Sequence, residues 1–562
     1  MKRLAVWNGV AVLCVLAAPA LKLSGPLAMA AAAALVLILP GAAWLGLFSR
    51  QELDAPRLAL ATVGLSSLAA VVGTALGALL VGAPSHMFLT GWCFLVLNAG
   101  LFLTARRPVR LDRETPWRAL AALLAAGFVI LSLTGLWVVP PLEDHDMEVR
   151  GTAWGLAADF KPYFQTNRQV YFPLAHPLLF HIQVADSLVF TDQIAATRPS
   201  YASARRAEAA AAAGRKVPWM DWWQADYQAF VKQPALAGTR AVPALLGAVV
   251  LVLLADLIRR FTGSTYAGLA AAALYLSSPE TLVRSSYAGY FSVTVFAMLA
   301  AVLLLVRSRP ERPALGWLVT AGAFAALVDH KTVVLILGIT ALAAWRSLVH
   351  ARRSGRPMHL LTWWRPGHPG RGALALGAGF TGGTALWWSY AALLDTPTFI
   401  QDHLRMHIAH RFLLNDIRLV GDPGRYAPSI PAMWIEFAAH TGYLLVPVAL
   451  VGFVVWAWCG RRRDILAVLL VWFLTGAVLY SLTDWRQTKH LMNQLAPLVT
   501  AAVLLAWPSA GLLARGARSR GLAWVAAAAL AAALVINVAA DVRLVADFHS
   551  LKVSGASDVD GW

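Results

Sequence analysis

Cysteine is nearly missing from this sequence. Only Cys14, Cys93 and Cys459 are present in 562 residues, all in or at the end of apolar runs, which excludes a disulfide framework and a thiolate metal centre. Charge is scarce as well. Asp, Glu, Lys and Arg make up 14% of the chain, with 29 acids against 47 bases, while 59% of residues are hydrophobic. With a mean hydropathy of +0.62, such a chain cannot cover itself with polar surface, so a water-soluble globular fold is excluded. The net charge of +18 raises nucleic acid as a partner. The arginines, however, are spread over short turns between apolar runs, where membrane topology already accounts for them, and no nucleic acid is expected.

What is abundant is apolar sequence in stretches long enough to cross lipid. Only helices and closed barrels satisfy the backbone in hydrocarbon. Read as helices, the runs lie near 4–20, 26–48, 58–82, 86–104, 117–140, 240–258, 264–278, 285–306, 314–328, 331–349, 373–393, 441–459, 464–482, 490–507 and 521–540. The expectation is an all-α polytopic membrane protein with about 13–15 spans. The first run, ending Ala18-Pro19-Ala20, also has the form of a cleavable signal segment. With the N-terminus inside, arginines fall in every alternate loop, from Arg50 and Arg57 to Arg515, Arg518 and Arg520. That places 141–239, 394–440, the turn at 484–490 and the C-terminal tail outside the cytoplasm.

Where acids are so few, a dense group of them is informative. Glu143, Asp144, His145, Asp146 and Glu148 follow Pro140 and Pro141 at the end of an apolar run; the prolines stop the helix and deliver the carboxylates at the membrane boundary. Side by side they raise one another's pKa, which suits a general base for an acceptor hydroxyl or a cation site. If helix resumes there, Asp144 and Glu148 share one face. Further on, Trp219, Trp222, Trp223, Tyr227 and Phe230 read as an interfacial helix. His403, His407 and His410, with Arg405 and Arg411, read as a basic interfacial helix, a phosphate or acceptor contact, or zinc ligands. His176 and His181 could complete a cation site with Asp144 and Asp146. Among cations, Lys331 between two apolar runs stands out, because a charge there is expensive unless it is paired or used.

Several segments in order carry a family resemblance. The acidic group is followed by the small-residue stretch 151–160, then Lys161-Pro162-Tyr163-Phe164, then His176-Pro177-Leu178-Leu179; later come Asp329-His330-Lys331-Thr332 and Lys489-His490 ahead of Pro497. Together these resemble the C-type (GT-C) membrane glycosyltransferases, most closely the branch of the protein O-mannosyltransferases and the lipid A aminoarabinose transferases. The likeness covers roughly 120–510. It departs from the family where a second proline is missing after Pro177, and where only Glu280 is available for the second acid.

That resemblance implies a GT-C-type helix bundle: an accessory bundle over 1–116, a catalytic core over 117–510 with outer loops 141–239 and 394–440, and a final helix and tail over 511–562. It implies inverting transfer from a polyprenyl-phosphate sugar to a glycan, lipid or protein acceptor, outside the cytoplasm, in a plasma membrane. Asp144 is the expected base, with Glu143 and Asp146 as competitors. Lys331, Lys489, His490 and Arg486 are expected at the donor phosphate, and His176, Lys161, Tyr163, Glu280, His407 and Arg411 at the substrates. No cofactor is specified and a divalent cation is left open. A transporter is the rival from another class, although neither midplane charges nor an inverted repeat is visible; a glycan ligase or polymerase is the other.

Overall fold

In the computed structural model every element among the described residues is helical, apart from an isolated parallel bridge between Leu53 and Leu111. The structure describes residues 25–48, 52–81, 110–138, 143–159, 174, 176–191, 193, 237–307 except 288, 314–354, 368–400 except 369, 403, 404, 408, 429–459, 463–482, 488–507 and 517–554. The expected runs 4–20 and 86–104 lie outside these residues, as do the aromatic stretch 219–230 and most of the histidine-rich loop.

The chain begins with α1 (Gly25–Ala33), which passes through a π turn (Ala34–Ile38) into α2 (Leu39–Phe48), followed by α3 (Ala55–Val81) and α4 (Trp117–Leu133). A second π turn (Thr134–Val138) precedes α5 (Glu143–Asp159) and α6 (Leu179–Phe190). Then come α7 (Ala237–Thr262), α8 (Thr265–Leu276), α9 (Pro279–Arg284), α10 (Phe291–Arg307) and α11 (Leu315–Val328). A 3-10 turn (His330–Thr332) leads to α12 (Val333–Ser354) and α13 (Arg371–Phe399). The last part holds α14 (Ile430–Thr441), α15 (Leu445–Cys459), α16 (Arg463–Leu482), α17 (Thr488–Leu491), α18 (Leu495–Ala506) and α19 (Ala517–Ser554).

Helix α7 is the hub. Its middle, 241–255, is apolar around the whole circumference and the helix is almost entirely buried, as a helix without a lipid or water face should be, and α1, α4, α6, α8 and α10 pack around it. The N-terminal helices join this core rather than standing apart from it, since α3 packs on α6 and α10 and the Gln183 amide donates to Ser67 Oγ. The most extensive pairing is between α11 and α13, and small residues make it possible. A Cβ on Gly322 would sit 2.1 Å from the Leu376 carbonyl oxygen, and one on Gly379 would sit 2.0 Å from that of Val319.

Seven helices among the described residues are long and apolar enough to cross a membrane, and the pair α14 and α15, bent by 99°, makes up to eight. Gly442 turns that bend at φ +95°, a conformation open to glycine and rarely adopted by other residues. Helices α8, α10 and α11 fall short of the single-span length, as does the continuous stretch Met492–Ala506. The shortfall has a common cause: these helices stop early where polar turns (277–290, 329–332 and 488–494) converge on one cleft, described below.

The opposite end of α10 carries a different polar group. Asp54, which caps α3 by accepting from Arg57 N–H at 3.0 Å, pairs with Arg57 and with Arg307. Asp256, fully buried on α7, is met by Arg259 at 2.9 Å and Arg260 at 2.7 Å. Buried carboxylates are stable only when their charge is answered in this way.

Candidate functional site

The site begins where α11 ends. Asp329 is extended (φ −162°, ψ 128°) and caps the following 3-10 turn, its carboxylate accepting from the Lys331 N–H at 3.0 Å. Aspartate is suited to this place because its short side chain reaches the orphan amides of the first turn. The Thr332 hydroxyl ties the turn back by donating to the carbonyls of Asp329 (2.7 Å) and Ala325 (2.9 Å). From α10, the Thr294 hydroxyl donates to the other oxygen of Asp329. The turn is therefore fixed from both sides, and Lys331, about 9% exposed, is carried on a rigid support.

Three further segments close on it. His176, in the turn that leads into α6, places Nδ1 3.7 Å from Asp329 Oδ1 and stacks on Tyr290, with ring centroids 4.1 Å apart. Tyr290 in turn shares a 2.7 Å hydrogen bond with His181 Nε2 and lies 5.8 Å beneath the Lys331 ammonium. On α9, Glu280 and Arg284 pair four residues apart on one face. Arg284 also donates to the Tyr287 hydroxyl at 2.8 Å, and His440 of α14 approaches Glu280 at 3.6 Å. His490 of α17 stacks on Tyr480 of α16, with centroids 5.6 Å apart.

These segments surround a small, partly open cleft whose charged lining is Arg284, Lys331, His490 and Asp329, joined by Tyr287, Tyr290, Thr294, Phe291 and Asn493. Three basic side chains face one carboxylate. Asp329 lies in the turn between α11 and α12. Burial opposes its charge, yet the Lys331 ammonium, then His176 and His330, hold its carboxyl well below the usual carboxylate range. It stays ionised and anchors the lysine's turn. A positive, partly enclosed cleft with several N–H and O–H donors is suited to a phosphate ester.

Of the residues singled out from sequence, the structure brings Lys331 and His490 to the cleft and His176 beside it. Glu280 stands behind the lining, holding Arg284. Glu143, Asp144 and Asp146 are at the start of α5, whose helix does resume at Glu143, and Lys489 is on α17; the side chains of these four are outside the described residues. Arg486, Lys161, Tyr163, His407 and Arg411 also lie outside them. Sequence reading gave no role to Arg284, Tyr290, Thr294 or Asp329. Arg284 carries a usable signal, a basic residue four positions after Glu280 in a short polar interruption.

His176, Asp329 and His330 each offer one ligand atom, all within 4.8 Å of one another, so they could hold a metal ion. Of the expected grouping of His176 and His181 with Asp144 and Asp146, His181 Nε2 shares its hydrogen bond with Tyr290, and the side chains of the two acids are outside the described residues.

Residues 209–364 match the family model of dolichyl-phosphate-mannose-protein mannosyltransferases. The matched segment contains Glu280, Arg284, Asp329 and Lys331, and it supports the resemblance to GT-C membrane glycosyltransferases read from the sequence. No curated protein matches the sequence. Two solved structures of ArnT from Cupriavidus metallidurans are similar at 12% identity. The one bound to undecaprenyl phosphate has a TM-score of 0.47, with 78% of this chain and 72% of that chain covered. The apo structure has a TM-score of 0.41, with 79% and 77% covered.

Proposed function

We propose that this multi-pass membrane protein is an inverting glycosyltransferase that takes its sugar from a polyprenyl-phosphate donor and passes it to a hydroxyl of a glycan, lipid or protein acceptor. The observation that carries this reading is the convergence of Arg284, Lys331 and His490 on one cleft. A departing lipid phosphate gains negative charge as the anomeric C–O bond breaks, and fixed cations in a desolvated site stabilise that charge more than they would in water. The name of the family matched over 209–364 supports a polyprenol-type phosphate sugar as donor.

In this reading Asp329 keeps Lys331 charged and placed, Glu280 does the same for Arg284, and Lys489 and Arg486 add to the basic set. Asp144, with Glu143 and Asp146 beside it in the sequence, takes the proton from the attacking hydroxyl. The reaction faces the non-cytoplasmic side of a plasma membrane, in keeping with the alternation of arginine-rich loops.

The test is transfer from synthetic polyprenyl-phosphate sugars by the purified full chain, comparing wild type with Asp144→Asn. Transfer by wild type, reduced about 10²-fold in the variant, is the expected result. Full turnover in the variant would remove Asp144 from the mechanism. No transfer from any lipid donor, with solute flux in reconstituted vesicles, would replace the transferase by a transporter.

A further inference from the structure

We propose that Arg240 is a positioning residue for the donor phosphate: it holds the turn 285–290 so that Arg284, Tyr287 and Tyr290 are kept at the cleft. The inference rests on the transferase reading and deepens it, since Arg240 is not among the residues that line the cleft.

Arg240 stands in the first turn of α7, immediately before the apolar middle of that helix, and is 1% exposed. A guanidinium removed from water in this way is costly unless its charge and its N–H groups are used. One use is visible. Its Nη1 donates to the carbonyl of Ser286 at 3.1 Å, across 46 positions of sequence. Ser286 follows the end of α9, where a helix leaves carbonyls without partners of its own. The Ser286 N–H donates to the Val283 carbonyl at 2.9 Å and its hydroxyl to that of Leu282 at 2.7 Å. The chain is thereby folded back on α9, and the Ser286 carbonyl receives a charged donor, which makes the stronger kind of hydrogen bond.

Two glycines close the same turn. A Cβ on Gly135, in the π turn after α4, would overlap the Ser286 carbonyl oxygen, and one on Gly247 of α7 would meet Ser285 Cβ at 3.0 Å. Helix α7 therefore grips the turn at two places, by a bond from Arg240 and by close packing at Gly247. From there the constraint reaches the cleft in one residue. The Tyr287 hydroxyl accepts from Arg284 at 2.8 Å, and Tyr290 shares its 2.7 Å bond with His181 beneath the Lys331 ammonium. Arg284 is held by Glu280 on one side and by Tyr287 on the other. Releasing the Ser286 carbonyl frees Tyr287 and removes one of these two holds, so a cation placed in advance for a phosphate loses its fixed position.

Binding of undecaprenyl phosphate to the purified full chain, arranged as a double-mutant cycle, separates positioning from simple support of the fold. Arg240→Met is expected to weaken binding by the folded fraction about tenfold, and Arg240→Lys, which keeps the charge and a donor, by less than about threefold. In an Arg284→Gln background Arg240→Met should add less than about twofold, because its effect runs through Arg284; in a Lys331→Met background it should keep its effect within about twofold, because Lys331 stands on another turn. Gly135→Ala crowds the same carbonyl without altering Arg240 and should give the same pattern, so it completes the cycle even where Arg240→Met does not fold. Amide hydrogen exchange needs no ligand: the turn 285–290 should exchange at least about tenfold faster in Arg240→Met, with the pairing of α11 and α13 unchanged. Wild-type affinity in Arg240→Met, equal losses in the Arg284→Gln and Lys331→Met backgrounds, or faster exchange spread evenly over the molecule would overturn the proposal and leave the donor reading intact. Wild type that binds no undecaprenyl phosphate would overturn both.

Discussion

At the Arg307 end of α10, Asp54 and Asp256 are each met by two arginines, those of Asp256 at 2.9 and 2.7 Å. At the Phe291 end, about 25 Å away along the helix, Asp329 is approached by His176 and His330 at 3.7 and 3.6 Å, and Arg284, Lys331 and His490 line a cleft. The first group is closed upon itself: Asp54 fastens the start of α3 to the end of α10 through Arg307, and Asp256 is answered within α7. In the second, basic side chains outnumber the carboxylate around an accessible volume, the arrangement expected where an anion is to be received. Pairing that closes a group on itself marks a structural cluster; convergence of one sign on a cleft marks a functional one.

The contrast can be broken by mutation. The largest effect is expected from Lys331→Met, which should lower transfer from a polyprenyl-phosphate sugar by about 10³-fold in the folded fraction, well beyond the stability cost of leaving Asp329 without its ammonium. Asp256→Asn should do the reverse. It uncovers Arg259 and Arg260 at the other end of the molecule and should cost about 3 kcal/mol of stability, read from unfolding in detergent, with turnover of the folded fraction unchanged. Gly379→Ala probes neither charge cluster. Its Cβ would meet the Val319 carbonyl oxygen at 2.0 Å, forcing α11 and α13 apart at a cost of about 2 kcal/mol. The smallest effect is expected from Glu280→Gln, which releases Arg284 without removing it and should weaken polyprenyl-phosphate binding about tenfold, with turnover at saturating donor nearly retained. A large stability loss in that variant would move Glu280 to the structural class.

The comparison also shows what a sequence can disclose. Helices were legible because apolar runs of this length have one backbone solution in lipid. Their lengths were less so, since α8, α10 and α11 end early at polar turns that only the fold reveals as neighbours. Lys331 was conspicuous because a lysine between two apolar stretches is costly. Asp329, two residues before it, was not, since its importance depends on Thr294 and His176 arriving from segments 35 and 153 positions away. Arg284 was hidden in the same way. Its partner Glu280 was visible, but whether the pair faced lipid, water or a cleft could not be read from a six-residue helix. The acidic group at 143–146 was the clearest sequence signal, and its role rests on the proposal above.

Equilibrium binding of undecaprenyl phosphate to wild type, Lys331→Met and Arg260→Gln tests the central claim most directly. The account predicts that the cleft variant loses at least about tenfold in affinity, whereas the variant at the far end of α10 binds as wild type does. Equal affinity in all three proteins, or no binding by any of them, would contradict it.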